Sequence, residues 1–371
     1  MTTVAISFHE PEAKQLLAAY GLRLTSLARI PWGTISLNFR AETDVGPVFV
    51  RISPGRQVPE AEFEAQLLWH LLSHGVRTPA LFQAHNRQGH VKLPFAVGMV
   101  YEWVDGVQYT DETMDEAHAE LVGQLLGQFH LCVATLRNRR EGIYTPTHID
   151  RRLRGLLRHP RATEEIRATV ERLLSESAKL RSQAKGKLPA GLGHCDLFPD
   201  NILFSRRHAE KNGPAEPWML DLEQAAWTTF VYDLAVALFA CTAPVPKPET
   251  TVEEATRCGP LRLKAARALL SGYQRMRLLS DAEWSGLYPA LRTACVRFAT
   301  TRLTDVELAE TAPCDAHGTE SAPQPADGPS AEPEKPASAS ENAKNFRDCL
   351  FRLDRLDEID PATLIFALRD R

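Results

Sequence analysis

The stretch Gly191–Ser205, GLGHCDLFPDNILFS, constrains the fold of this chain more than any other. It sets His194, Asp196, Asp200 and Asn201 within eight positions, between one apolar segment and the next. Flanking residues of that kind read as short strands, so the polar set belongs to the turn between them. Asp196 can point out of such a loop as a base or an electrostatic guide, and Asn201 offers an amide oxygen from its far end. NILF then leaves as a strand, SRRHAEKNGPAEP is turn-rich, and WMLD returns. A hairpin of this kind brings Asp221, at the end of the second strand, beside Asn201 at the start of the first. An amide oxygen and a carboxylate next to a further carboxylate suit a hard cation. Magnesium fits, because it takes a few oxygen ligands and fills the remainder with water and substrate phosphates. Asp196 stays available to accept a proton from an attacking hydroxyl, and these are parts that phosphoryl transfer uses in the kinase design. Any one of these residues alone reads more simply as an Asx-turn or a cap, which is the default for Asp200. Their joint occurrence carries the functional reading.

The rest of the chain divides into a β-rich start and a helical remainder. RLTSLARIPWGTISLNFRAET and PVFVRIS are β-rich, and VPEAEFEAQLLWHLLSHG predicts a helix with an acidic start and apolar Phe63, Leu67, Leu68, Leu71 and Leu72, stopped by Gly75. TPALFQAH and FAVGMVYEWV return to strands, the second forming a crossover near Met99–Val104. From Asp111 the apolar spacing turns helical, with a stripe through Leu121, Leu125, Phe129 and Val133, a second helix over about Ala162–Ser182, and further helices through VYDLAVALFAC, VEEATRCGPLRLKAARALLSGYQRM, SDAEWSGLYPALRTACVRFATTRL and AKNFRDCLFRLDRL. Residues 309–342 are nearly all Ala, Pro, Ser, Glu and small polar residues. Such a composition cannot bury enough apolar surface to offset ordering entropy, and predicts a disordered insertion.

With 371 residues, 44% of them hydrophobic, the chain can build two modest cores. A net charge of -4 gives no electrostatic reason to expect nucleic acid or an anionic membrane. No run approaches the roughly 18–20 apolar residues that span a bilayer. The N-terminus lacks the pattern of a secretory signal. Seven scattered cysteines without a CxxC pair read as reduced thiols, so a cytoplasmic protein is expected.

HCDLFPDNILF followed by WMLDLEQA and VYDLAVAL resembles the catalytic core of the aminoglycoside-phosphotransferase-like kinases, whose pattern is HxDxxxxN and then an Asp-led strand. Within that superfamily the chain is most similar to the protein-kinase-like homoserine kinases. GYQRMRLLSDAEWSGLYPALRTACVRFATTRLTD is similar to their C-terminal helices. The resemblance implies an α+β, protein-kinase-like fold of two lobes. Residues 1–104 would be the nucleotide-binding lobe and hinge, residues 105–308 the helical catalytic lobe, and residues 343–371 a helical segment packing on it. It implies ATP and magnesium as cofactors and a small-molecule hydroxyl acceptor, with homoserine first in line. Asp196 would be the catalytic base or orienting carboxylate, and Asn201 and Asp221 would hold magnesium. His194 would buttress the loop and Asp233 would tie it down, although Asp233 also reads as a helix cap. The backbone of Glu102 and Val104 would pair with adenine, and Gly33 would let a turn approach the phosphates.

The chain also departs from that family's pattern. Where such kinases carry a strand lysine paired with a helix glutamate, PVFVRIS has Arg51, with Glu64 at the expected glutamate position. Arg51 binds the ATP phosphates in its own geometry on one reading, and forms an ordinary ion pair with Glu64 on the other. Leu222 follows the metal aspartate where the family often has an aromatic residue, and FACTAPVPKPETTVEE lacks the polar residues expected beside the acceptor. Arg297 and Arg302 are candidates for the acceptor's carboxylate, unless they are merely solvated or lobe-bridging, and Glu223 is a candidate for its amine, unless it is merely exposed at the strand end. Choline-, hydroxylysine-, methylthioribose- and aminoglycoside-like acceptors are the alternatives within the reaction class. A nucleotide-binding pseudokinase scaffold is the alternative outside it.

Overall fold

The computed structural model describes residues 8–31, 36–110, 113–136, 139–183, 186–207, 215–244, 259–308 and 345–369. The chain opens on helix α1 (Glu10–Ala18), where Pro11 pre-sets the first turn and the Glu12 carboxylate accepts the cap N–H of His9 at 3.0 Å. Its buried face, Ala13, Leu16 and Leu17, covers an antiparallel sheet. The strands are β1 (Leu24–Ile30), β2 (Leu37–Thr43) and β3 (Gly46–Pro54). Helix α2 (Val58–Ser73) intervenes before β4 (Val91–Lys92) and β5 (Ala96–Glu102), and the spatial order is β1-β2-β3-β5-β4. Period-two alternation on β3 sends Val48, Val50 and Ile52 into the core under α1. Phe49 and Arg51 therefore project from the other face, toward the remainder of the molecule.

The helical part follows: α3 (Glu116–Val133), α4 (Pro146–Leu156) and α5 (Glu164–Gln183). Two short two-stranded sheets come next, built from β6 (Ala190–Gly193), β7 (Ile202–Ser205), β8 (Glu216–Met219) and β9 (Ala226–Thr229). Strand β6 pairs with β9 and β7 with β8. The chain then completes α6 (Phe230–Cys241), α7 (Leu263–Met276), α8 (Asp281–Arg302), α9 (Phe346–Asp357) and α10 (Pro361–Arg369). Helix α3 is capped by Asp115, whose carboxylate accepts the His118 N–H at 2.9 Å. α3 and α7 meet through glycine: a Cβ on Gly272 would lie 1.9 Å from the Glu120 carbonyl oxygen, and one on Gly123 1.9 Å from that of Leu269.

The larger core does not stop at the sheet. It takes in Leu67, Leu68 and Leu71 of α2 and Val97, Met99 and Tyr101 of β5, together with Leu125, Leu126 and Phe129 of α3. The architecture is the expected one, an antiparallel sheet lobe and a mainly helical lobe. The sequence pattern misses α1, α4 and α10. The first and last have nine residues each, and α4 buries only Ile149, Leu153 and Leu156 among charged neighbours. Gly33 and the expected insertion at 309–342 lie outside the described residues.

Candidate active site

Strand β6 delivers the polar loop, and α6 holds it. Asp233, fully buried in the first turn of α6, accepts the His194 N–H at 2.8 Å and the Cys195 N–H at 2.6 Å. Cys195 sits at φ +64°, a left-handed conformation that costs an ordinary side chain on the order of 1–3 kcal/mol. The two bonds to one carboxylate hold it there. Gly193 makes the approach possible, because a Cβ would come within 2.9 Å of Asp233 Cγ. Burial opposes the Asp233 charge, yet His130, His194 and the Cys195 N–H outweigh it and keep the carboxyl below its usual range.

His194 is oriented at both nitrogens. Its Nε2 lies 2.8 Å from the Leu220 carbonyl, which can only accept, so Nε2 carries the proton. Nδ1 then accepts the Asp196 N–H at 3.3 Å. Asn201 donates its side-chain NH₂ to the Asp196 carbonyl at 2.8 Å, which turns its amide oxygen the other way. The β7–β8 register, Ile202 opposite Met219, continues as the Leu220 N–H donating to the Asn201 carbonyl at 2.9 Å. Asp221 is thereby delivered next to Asn201, in a left-handed conformation at φ 56°. The hairpin expected from the sequence forms and makes that juxtaposition.

Around Asp221 the charges are dense. Arg51 Nη1 meets Asp221 Oδ1 at 3.1 Å. Burial works against ionising Asp221, but Arg51 and His194 prevail and hold it below the usual carboxylate range. Glu223, two residues on, is pushed up by burial and by the Asp221 charge. Two neighbouring carboxyls with their pKa values driven apart mark a place prepared for a cation or a proton.

Glu64 does not pair with Arg51. Its carboxylate is held by Arg56 Nη2 at 2.5 Å and by the Tyr101 hydroxyl at 3.0 Å. The turn after β3 brings Arg56 back onto α2 before Glu64, so the nearer arginine takes the glutamate and the strand arginine is left for Asp221. At the crossover, Glu102 gives its backbone N–H to the Ala80 carbonyl at 2.8 Å, so that N–H is already taken within the chain. Its side chain accepts from Ala80 N–H at 2.9 Å and from Arg207 at 2.6 Å. Val104 beside it is buried.

The acceptor candidates separate. Arg297, 5% exposed, places Nη1 3.1 Å from Asp196 Oδ1, while Asp196 itself is 32% exposed. The guanidinium lies over Tyr144 and Phe298, with its carbon 4.4 and 3.8 Å from the ring centroids. Its buried Nε has no hydrogen-bond partner among the described residues. Arg302 is not part of this site: it is spent on the Asn345 carbonyl, Asp348 and Cys349, fastening α8 to α9. Glu223 lies among the charges of Asp221, Arg51, Glu64 and Arg56, whereas Arg297 has Asp196 as its charged neighbour and the neutral Tyr232, Tyr144 and Cys195 around it. The two residues therefore address different sides of the cleft.

Three contributors escape a reading of the sequence. Arg56 is one. Arg140 is another, donating to the carbonyls of Glu223 at 2.6 Å and Ala225 at 3.1 Å and so pinning the turn after Asp221. His130 of α3 is the third, its Nε2 2.9 Å from Asp233 and its Nδ1 2.7 Å from the Tyr273 hydroxyl. The buried position of His130 on the α3 stripe is a signal that sequence alone carries weakly, and the two arginines carry none.

Comparison with known proteins agrees with this geometry. A family model described as "Phosphotransferase enzyme family" matches residues 26–279. Homoserine kinase of Nitrobacter hamburgensis is 30% identical over 302 residues, covering 79% of this chain and 84% of the relative. Homoserine kinase of Parvibaculum lavamentivorans is 27% identical over 313 residues, with coverages of 80% and 86%. Among solved structures, an amicoumacin kinase in complex with AMP-PNP, Ca²⁺ and its antibiotic superposes with a TM-score of 0.63 at 14% identity, over 96% of this chain and 97% of that one. A choline/ethanolamine kinase family protein from Mesorhizobium loti gives 0.57 at 16% identity, over 93% and 92%. At those identities the likeness is one of fold.

Proposed function

Because the chain belongs to the phosphotransferase enzyme family, we propose that it transfers the γ-phosphoryl group of ATP to the side-chain hydroxyl of homoserine. The observation that supports this reading is the β7–β8 hairpin, with the Leu220 N–H on the Asn201 carbonyl next to Asp221 and the Asn201 amide on the Asp196 carbonyl. The relatives named homoserine kinase, matched over about four fifths of the chain, favour the amino-alcohol acid over other acceptors.

The donor set fits a magnesium–nucleotide. Asn201 and Asp221 offer hard oxygens, and the cation already drawn to Asp221 is the Arg51 guanidinium. When bound, magnesium supplies charge neutralisation at the β- and γ-phosphates. Arg51, on the sheet face toward the site, forks onto phosphate oxygens in place of the usual lysine. The carbonyl of Glu102 and the backbone of Val104 receive the adenine edge. Asp196 orients the acceptor hydroxyl and takes its proton as the new oxygen–phosphorus bond forms, while the bond from the γ-phosphorus to the bridging oxygen of ADP breaks. His194 and Asp233 position the loop that carries Asp196. Arg297, next to Asp196 and with an unpartnered Nε, pairs with the acceptor carboxylate. Catalysis on this account is mostly positioning and charge stabilisation.

The test is ADP release across homoserine, choline, hydroxylysine, methylthioribose and an aminoglycoside. Homoserine is expected to give the highest kcat/KM. A higher value for any other acceptor would overturn the substrate assignment, and release with none of them would overturn the reaction.

A further inference from the structure

A second cluster lies at the C-terminal end of α2, beyond Glu64. His70 and His74, four residues apart and so on one face of α2, meet Cys132 of α3. One nitrogen of each imidazole and the Cys132 Sγ all lie within 4.8 Å of one another. We propose that these three side chains form a binding site for a divalent cation of the zinc class, bridging α2 of the sheet lobe and α3 of the helical lobe.

One nitrogen of each imidazole is held by a backbone carbonyl. His70 Nε2 lies 3.2 Å from the Cys132 carbonyl, and His74 Nδ1 lies 2.8 Å from the His70 carbonyl. A carbonyl can only accept, so each of those nitrogens carries the proton and the opposite nitrogen of each ring presents a lone pair. Metal-binding histidines show this arrangement, with the second ring N–H given to a backbone carbonyl that fixes tautomer and orientation. Ser73 Oγ supports it, donating to the same His70 carbonyl at 2.8 Å and lying 3.0 Å from His74 Nδ1.

The surrounding field favours a cation. His74 caps the C-terminus of α2, and Cys132 is in the last turn of α3, so the negative ends of two helix dipoles converge on the cluster. Gln128 of α3 donates to the Gly75 carbonyl at 3.1 Å, which holds those two ends together. Two imidazoles and one thiolate select zinc, or cobalt in its place, over magnesium, which requires oxygen ligands. Three protein ligands leave a fourth position for water. An ion there would staple the helix that carries Glu64 to the helix that carries His130, and thereby limit how far the lobes rotate. The cluster is separate from Asp196, Asn201 and Asp221, and its test does not depend on the acceptor.

The experiment titrates cobalt(II) into the reduced, untagged full chain with magnesium present, followed by visible and near-ultraviolet absorption. The expected result is one equivalent bound in a tetrahedral spectrum with a sulfur-to-cobalt charge-transfer band, displaced by zinc. Cys132→Ser should abolish the charge-transfer band. His74→Ala, at an exposed position, should weaken binding by at least about 10–100-fold, the range commanded even by the outer partners of a metal ligand. Asp196→Asn should leave the titration unchanged. A wild-type chain with no charge-transfer band, or a band that persists in Cys132→Ser, would overturn the proposal.

Discussion

At the residue scale, the account turns on which arginine meets which carboxylate. Arg51 is bonded to Asp221 and Arg56 to Glu64, so the two arginines are not interchangeable. Arg51→Met removes a charge-assisted contact of the kind worth about 1.5–3 kcal/mol, so the KM for ATP should rise at least about tenfold. The KM for the acceptor should hardly move, and steady-state kinetics with each substrate varied in turn checks the split. Arg297→Lys keeps the charge beside Asp196 but loses the fork, and should raise the acceptor KM while sparing nucleotide binding. Equal changes in both KM values would count against the division of the cleft into two sides. The nearness of Asn201 and Asp221 was legible in the sequence because a two-residue period and a turn-rich connection fix where a hairpin's ends meet. Arg56 was not, since nothing local says that the turn Ser53–Gly55 folds it back toward Glu64. Arg302, a candidate for the acceptor carboxylate in the sequence, is misread as to partner, because its first hydrogen-bond partner lies 43 residues further on.

At the scale of elements, the catalytic loop is fastened from α6 through Asp233 and from α3 through His130. Burial, partly offset by Asp233, holds the His130 pKa below its ordinary value. The unfolded chain then binds more protons than the folded one below about pH 6.5, so stability is present above that value and falls as the pH drops through it. His130→Gln should flatten the decline between pH 7 and 5, by at most about 1.4 kcal/mol per pH unit, in urea unfolding. An unaltered slope would show that His130 is not held neutral. The α3–α7 contact makes an opposite-sign pair. In the exposed helix α4 a Cβ on Gly155 meets nothing, so Gly155→Ala should stabilise by roughly 0.5–1 kcal/mol. Gly272→Ala has the same helical preference but drives a methyl into the Glu120 carbonyl, and overpacking of about 1–3 kcal/mol should reverse the sign. Thermal melts of the two variants check both. Long amphipathic helices such as α3 and α8 were readable from spacing, and Gly75 from its stop at φ 74°. Helices α1, α4 and α10 were not, because each is short and owes its stability to the surface it covers, which no local pattern records.

At the scale of the molecule, the sheet lobe is not self-contained. One face of its sheet closes on α1, while the other face and α2 share a core with the helical lobe. Arg51 on that shared face spans the lobes to Asp221, which ties the proposed nucleotide site to their relative position. The two-lobed division was legible from the change of period at Asp111, whereas the continuity of the larger core was not, since it depends on which face of β5 meets α2. The central claim is that Asp196 acts on an acceptor hydroxyl beside a cation held by Asn201 and Asp221. The most direct measurement compares wild-type chain and Asp196→Asn in two readouts: homoserine-dependent ADP release, and ATP binding by calorimetry in the presence of magnesium. The account predicts that turnover falls by about 10²–10⁴-fold while ATP affinity is unchanged. Turnover that survives the substitution, or that is lost only because ATP no longer binds, would contradict it.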